Sequence, residues 1–341
     1  MKCEYDILIW SLLSIIIFII ICLLSSWIIY YIKLNDFLNA YTENFKIECD
    51  NIKNLVYRET VYIPYENGVY EKTLAVALQD ISYNTTRAEC PNILPIPNPP
   101  TFTDQLRVEG LTDNKLIMYG YIFWNKKTKK VVFSFAGTVL LEQLRSDLNI
   151  KQTPPTLLNG YENGILVQEG FYNIYISIRE ILWNWWTNNK TWVKTFYITG
   201  NSLGGALSTI CAFDFADVFN SNECSKARNS ITGSKRIKNL PIHYSFATPR
   251  SGNVLYAQVF NKRLETTLRI NNTEDIIPQL PPAKTLDYIY QQTNGSISFT
   301  KSLNSLLENH TTAYYEFLPI CSNNASCIFT NNNHLDVVHC S

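Results

Sequence analysis

The feature that most constrains this chain is a short glycine-rich turn set between two apolar runs. Lys194-Thr195-Phe196-Tyr197-Ile198-Thr199 leads into Gly200-Asn201-Ser202-Leu203-Gly204-Gly205, and a largely apolar run follows to about Phe219. The first run has the β-branched and aromatic makeup of a buried strand, and the last has the length of a helix. A backbone can pass from strand to helix this abruptly only where no side chain obstructs the turn, and Gly200 and Gly204 meet that need. Such a turn places the Ser202 hydroxyl at the end of a sheet and exposes the N–H of Leu203 to negative charge developing beside it. Two further strand-turn units follow: Ile242 to Phe246 leads through Ala247-Thr248-Pro249-Arg250-Ser251-Gly252-Asn253 into a helix ending at Leu264, and Thr267 to Ile270 precedes Asn271-Asn272-Thr273-Glu274-Asp275. Upstream, Leu116 to Trp124 and Val131 to Phe135 flank a lysine-rich turn as a hairpin would, and Gly170 to Trp186 reads as a helix with Ile174, Ile178, Ile181 and Leu182 near one face. This order predicts an α/β fold, a central sheet wrapped by helices.

The amino-terminal part obeys a different rule. Ile7 to Ile32 are 26 consecutive residues without a charge, with Trp10 near one end and Trp27, Tyr30 and Tyr31 near the other. As a helix this run reaches about 39 Å, enough to cross a hydrocarbon core of roughly 30 Å with tilt. We therefore expect a tail over 1–6, a transmembrane anchor over 7–32, a stalk or extension over 33–73 and a catalytic domain over 74–341. Cys90 to Pro100 is proline-rich and reads as an extended loop. Lys+Arg and Asp+Glu both number 29, giving no net charge, and 46% of residues are hydrophobic. The balance disfavours nucleic acid as a partner, and the apolar content excludes disorder over most of the length. Protein partners are not indicated, whereas the anchor makes the lipid bilayer an expected one.

A serine hydroxyl becomes a nucleophile only when a base takes its proton, and a carboxylate must hold that base in place. The chain has four histidines: His243, His310, His334 and His339. His243 lies within an apolar strand and reads as a hydrogen-bonded core residue, while His310, in Glu308-Asn309-His310-Thr311, reads as part of a solvated loop. His334 and His339 remain as candidate bases. Asp275 follows a strand and can reach the sheet edge near Ser202. No paired-cysteine metal motif and no glycine-rich phosphate loop is present, so neither metal nor cofactor is expected.

Together these stretches resemble the class 3 lipases, a fungal lipase-like family of α/β-hydrolases. The resemblance rests on Val131 to Thr138, Val167-Gln168-Glu169-Gly170-Phe171, Gly200 to Gly205, Pro249-Arg250-Ser251-Gly252-Asn253, Asp275-Ile276-Ile277-Pro278 with Leu280-Pro281-Pro282, and His334-Leu335, and it covers about Leu74 to Cys340. It implies Ser202 as nucleophile, Asp275 as orienting acid and His334 as base, with Thr138 and the Leu203 N–H as the oxyanion hole. It also implies a lid after Thr138, where Leu140, Leu141, Leu144 and Leu148 share one helical face, and a disulfide between Cys90 and Cys340. Three positions depart from the family pattern: Ala136 replaces an arginine, Asn201 the histidine of the elbow, and Gln168 a histidine before the Gly-Phe pair.

Cys321 and Cys327, six apart around a polar loop, read as a local bridge that the resemblance also implies. Cys211 reads as a buried thiol, and Cys49 and Cys224 have no assigned partner. Six Asn-x-Ser/Thr sequons begin at Asn84, Asn189, Asn271, Asn294, Asn309 and Asn324. With the cysteines they suit a glycoprotein whose catalytic domain is lumenal or extracellular. The expected function is a membrane-anchored serine hydrolase of acylglycerol esters, most simply a triacylglycerol lipase. The alternatives are a phospholipase A1, another carboxylesterase, or a lipase fold kept as an inactive binding protein.

Overall fold

A computed structural model describes residues 72–88, 97–112, 114–138, 150–216, 241–264, 267–317 and 330–331, with scattered helical residues between 15 and 43. Eight strands form one sheet in the order β1-β2-β3-β6-β7-β8-β9-β10. They are β1 (Asp104–Thr112), β2 (Lys115–Asn125), β3 (Lys130–Phe135), β6 (Thr195–Asn201), β7 (Ile242–Phe246), β8 (Thr267–Asn272), β9 (Ser296–Phe299) and β10 (Thr330–Asn331). The five from β3 to β9 run parallel, and β1, β2 and β10 are antiparallel to their neighbours. Two short strands, β4 (Gln152–Thr153) and β5 (Val167–Gln168), pair separately. The expected α/β architecture is present.

Parallel strands need crossovers, and α-helices lie in all of them here except the one from β8 to β9. α1 (Lys72–Arg87) precedes the sheet, α2 (Glu169–Asn189) lies between β3 and β6, α3 (Leu203–Ala216) between β6 and β7, and α4 (Val254–Arg263) between β7 and β8. Both faces of the sheet are covered, so the central strands are apolar on both sides. Val131, Phe133 and Phe135 pack with Phe196 and Ile198 against α2 and α3. Val132 and Tyr197 pack on the other face with Leu74, Leu78 and Ile81 of α1. This alternation follows from the period of two in a strand. Each such buried side chain contributes roughly 1.5–3 kcal/mol through removal of apolar area from water. The helix α1 begins at Lys72, just ahead of the expected domain start at residue 74.

Every residue of α3 is buried, so its polar groups must find partners inside the protein. Asp214 does so completely. It accepts from Tyr175 Oη at 2.8 Å, Arg179 Nε at 2.8 Å and Nη2 at 3.1 Å, Trp183 Nε1 at 2.8 Å and the Asn159 amide at 2.8 Å. Burial pushes the neighbouring Cys211 thiol and Tyr175 hydroxyl up, so Cys211 is the unreactive buried thiol the sequence suggests.

His243 is likewise a core residue. Its Nδ1 lies 2.7 Å from Thr267 Oγ1 and its Nε2 lies 3.0 Å from Ser208 Oγ, and burial lowers its pKa to about 3. The folded protein therefore leaves the ring neutral at pH values where the unfolded chain protonates it. Stability from this group is complete above about pH 6.5 and is lost as pH falls towards 3, at about 1.4 kcal/mol per pH unit. We expect the urea midpoint of the wild type to fall more steeply between pH 7 and 4 than that of His243→Asn. Equal slopes would refute the assignment.

Among the described residues no helix is long and apolar enough to cross a membrane. Much of the expected anchor over 7–32 lies outside the described residues. Those described within it are helical, with Phe18 at 67% and Ile15 at 55% exposure. The lid residues Leu140, Leu141, Leu144 and Leu148, and Cys90, Cys321, Cys327 and Cys340, also lie outside. Three sequons fail as glycan acceptors in the folded chain, because Asn84, Asn271 and Asn309 are buried at 4%, 7% and 6% exposure. Asn294 is exposed and Asn189 half-buried, while Asn324 is outside the described residues.

Candidate active site

The turn from β6 into α3 is as tight as its glycines predict. A Cβ on Gly200 would come within 2.0 Å of Gly204 O, and one on Gly204 within 2.3 Å of Phe135 O. Ser202 occupies the left-handed region at φ 58°, which a non-glycine residue adopts only when its surroundings impose it. Those surroundings are visible: the Ser202 amide donates to Phe246 O at 2.9 Å, and Ser202 O accepts from Gly205 N at 2.9 Å and Ala206 N at 3.2 Å as the helix begins. The first amides of α3, Leu203 included, have no preceding helical carbonyl to bond and carry the positive end of the helix dipole.

Asp275 stands in the turn after β8, at the carboxyl end of the parallel strands where the elbow also lies. Its Oδ1 accepts the Ile277 amide at 2.9 Å, while Oδ2 accepts from His310 Nδ1 at 2.9 Å and from Tyr314 Oη at 2.9 Å. His310 Nε2 lies 2.8 Å from Ser202 Oγ. With Nδ1 donating to the carboxylate, Nε2 is left to accept the serine proton. All three groups are buried, at 3% exposure for Ser202 and 1% each for His310 and Asp275. Tyr314 is buried too, its hydroxyl held between Asp275 and the Asn272 amide at 2.8 Å, and burial beside Asp275 pushes its pKa well up.

The histidine at Ser202 is thus His310, where the sequence reading named His334 with His339 in reserve. His334 and His339 lie outside the described residues. The solvated-loop reading of His310 is corrected by its local structure. Ser305 caps the short helix α5 (Leu306–His310), accepting from the Glu308 amide at 3.1 Å and donating to Glu308 Oε2 at 3.1 Å. Asn309 turns inward, its Oδ1 accepting the Leu303 amide at 2.6 Å and its carbonyl accepting from Asn272 Nδ2 at 3.1 Å. The polar neighbours of His310 are therefore consumed by a cap and a loop clamp, and the ring points into the protein. The signal was in the sequence: Ser305-Leu306-Leu307-Glu308 is a capping-box pattern.

Thr138 follows β3 in the loop Ala136-Gly137-Thr138 and is 1% exposed. A Cβ on Gly137 would lie 3.2 Å from Asn201 O and 3.6 Å from Ser202 Cβ, so this loop abuts the elbow. Gln168, one of the three departures, caps α2 by accepting the Phe171 amide. Arg250 Nη1 donates to the carbonyls of Gln279 and Pro281, tying the segment after β7 to the one after Asp275. Among the described residues no group of three or more His, Cys, Asp or Glu is placed to hold a metal ion.

Residues 132–285 match the family Lipase (class 3). Phospholipase A(1) DAD1, chloroplastic, of Arabidopsis thaliana is 30% identical over 167 residues, covering 45% of this chain and 34% of the relative. Secreted mono- and diacylglycerol lipase 1 of Fusarium solani is 24% identical over 178 residues, covering 51% of this chain and 46% of the relative. The chain thus spans between about a third and a half of the length of these two relatives. Among solved structures, the Lip2 lipase of Yarrowia lipolytica superposes with a TM-score of 0.48 at 18% identity, covering 66% of this chain and 77% of that one. The stretch matched by the family, residues 132–285, holds the elbow and Asp275, and over that stretch the chain is similar to the class 3 lipases.

Proposed function

We propose that this chain is a serine hydrolase of carboxylic esters in lipids, with Ser202 as nucleophile, His310 as general base and acid, and Asp275 as the group that orients it. The observation that carries this reading is the unbroken chain Ser202 Oγ, His310 Nε2, His310 Nδ1, Asp275 Oδ2, with links of 2.8 and 2.9 Å. As Ser202 Oγ attacks an acyl carbonyl, its proton passes to His310 Nε2, and the Leu203 N–H and Thr138 receive the developing oxyanion. The imidazolium then protonates the leaving alcohol. Water repeats the cycle on the acyl-enzyme to release the fatty acid. Tyr314 and the Ile277 amide keep Asp275 fixed, so little reorganisation accompanies charge formation at the histidine.

The substrate we favour is an acylglycerol. A phospholipase A1 activity is the second reading, and the similarity to the Arabidopsis phospholipase A(1) supports it. An inactive binding protein is the weaker alternative, since nothing in such a role calls for a hydrogen-bonded serine, histidine and aspartate held in the geometry of attack. The charge-free run over 7–32 supports a single-pass anchor, with the catalytic domain over 74–341 on the lumenal or extracellular side. The test uses the full chain on triacylglycerol, phosphatidylcholine and a short soluble ester, beside Ser202→Ala. We expect hydrolysis of at least one ester and loss of about 10⁴-fold or more in kcat in the variant. Retention of activity by Ser202→Ala would remove Ser202 from the mechanism.

A further inference from the structure

We infer that Thr86, on the last turn of α1, is a positioning residue for the oxyanion pocket; the inference rests on the reading of Thr138 and Leu203 as its donors. The Gly137 amide donates to Thr86 Oγ1 at 2.8 Å, while the same hydroxyl donates to Ser82 O at 3.1 Å. One residue earlier, Thr85 Oγ1 donates to Ile81 O at 2.8 Å and lies 2.7 Å from Ser134 Oγ. Both threonines are buried, at 1% exposure for Thr85 and 7% for Thr86. Consecutive hydroxyls of one helical turn thus hold the end of β3 and the loop that leaves it.

The other side of the loop is also held, by the Ala136 amide donating to Tyr119 O at 2.9 Å. Two successive peptide planes, those carrying the Ala136 and Gly137 N–H groups, are thus each anchored, so the direction of the next N–H, that of Thr138, follows from the Gly137 plane and the torsions of Gly137. The loop also lies against both neighbours, since a Cβ on Gly137 would sit 3.4 Å from Thr86 Oγ1 and 3.6 Å from Ser202 Cβ. Ala136 has no polar side chain with which the loop could brace itself. Removing the Thr86 oxygen would leave the Gly137 N–H buried without its acceptor, and the peptide would turn to find another. Since oxyanion donors act only within about 2.7–3.1 Å of the oxygen they stabilise, such a turn would weaken the transition state more than the substrate complex.

The experiment compares full-length wild type, Thr86→Val and Thr86→Ser on a short soluble ester, with the rate of Ser202 labelling by a fluorophosphonate as a second readout. Valine keeps the shape and removes the acceptor; serine keeps the acceptor. The expected result is a fall in kcat of about 10–100-fold in Thr86→Val with KM changed less than about twofold, a parallel fall in labelling rate, and kcat within about threefold of wild type in Thr86→Ser. Wild-type kcat in Thr86→Val, or an equal loss in Thr86→Ser, would overturn the inference, the latter by assigning the residue to packing. Should the valine variant fail to fold, Thr86→Cys, with a weaker acceptor of similar size, is read by the same criteria. A wild type that neither turns over nor labels at Ser202 overturns the hydrolase reading and this inference with it.

Discussion

His310→Asn should lower kcat for ester hydrolysis by about 10⁴–10⁶-fold, while His334→Asn and His339→Asn should stay within a few-fold of wild type. The size follows from the site: His310 Nε2 is 2.8 Å from Ser202 Oγ, and it is the proton acceptor within reach of that hydroxyl among the described residues. Asparagine fits the cavity and can still bond Asp275, so the loss reports proton transfer more than collapse. Fluorophosphonate labelling of Ser202 should fall in step, and thermal unfolding should separate chemistry from stability. Loss of activity at His334 with retention at His310 would reverse the assignment.

Asp214→Ala should destabilise the fold by about 3–5 kcal/mol, a large share of the 5–15 kcal/mol typical of a domain. The carboxylate is wholly buried and receives donors from Tyr175, Arg179, Trp183 and the Asn159 backbone. Alanine would strand the Arg179 charge and leave three neutral donors without an acceptor. Because Asp214 lies on the helix that begins at the nucleophile, the variant should also lose activity at temperatures where wild type is folded. Melting should fall by roughly 10 °C or more. A shift under about 2 °C would mean that solvent replaces the carboxylate without cost, since the Arg179 side chain is 25% exposed.

The parts of the fold that are strongly apolar and periodic were legible in the sequence. Val131 to Phe135, Thr195 to Thr199 and Ile242 to Phe246 alternate between two buried faces, and the glycines around Ser202 admit one kind of turn. The base was not legible for a definite reason. Glu308 and Asn309 look like surface residues when counted by type, yet one closes a cap and the other clamps a loop. Reading the capping box before the polarity would have put His310 on a helix and restored it to the candidates. The helix α1 was missed for a related cause. Its buried Gln79, Asp80, Ser82, Asn84, Thr85 and Thr86 blur the apolar stripe that reveals a helix packed on a sheet. Tyr314 could be found only through space, because what marks it is the carboxylate it touches.

The order of strands across the sheet shows that the stretch matched by the family is not a unit by itself. The stretch matched by the family begins at Val132, inside β3, but β3 is an interior strand with β2 on one side and β6 on the other. A fragment cut at that boundary would turn β3 into a bare edge, apolar on both faces and offering a row of unpaired amides and carbonyls to any neighbouring chain. It would also uncover the face on which α1 lies. The stretch matched by the family is therefore smaller than the sheet it belongs to, and a piece of this protein that keeps both β2 and α1 begins no later than Lys72.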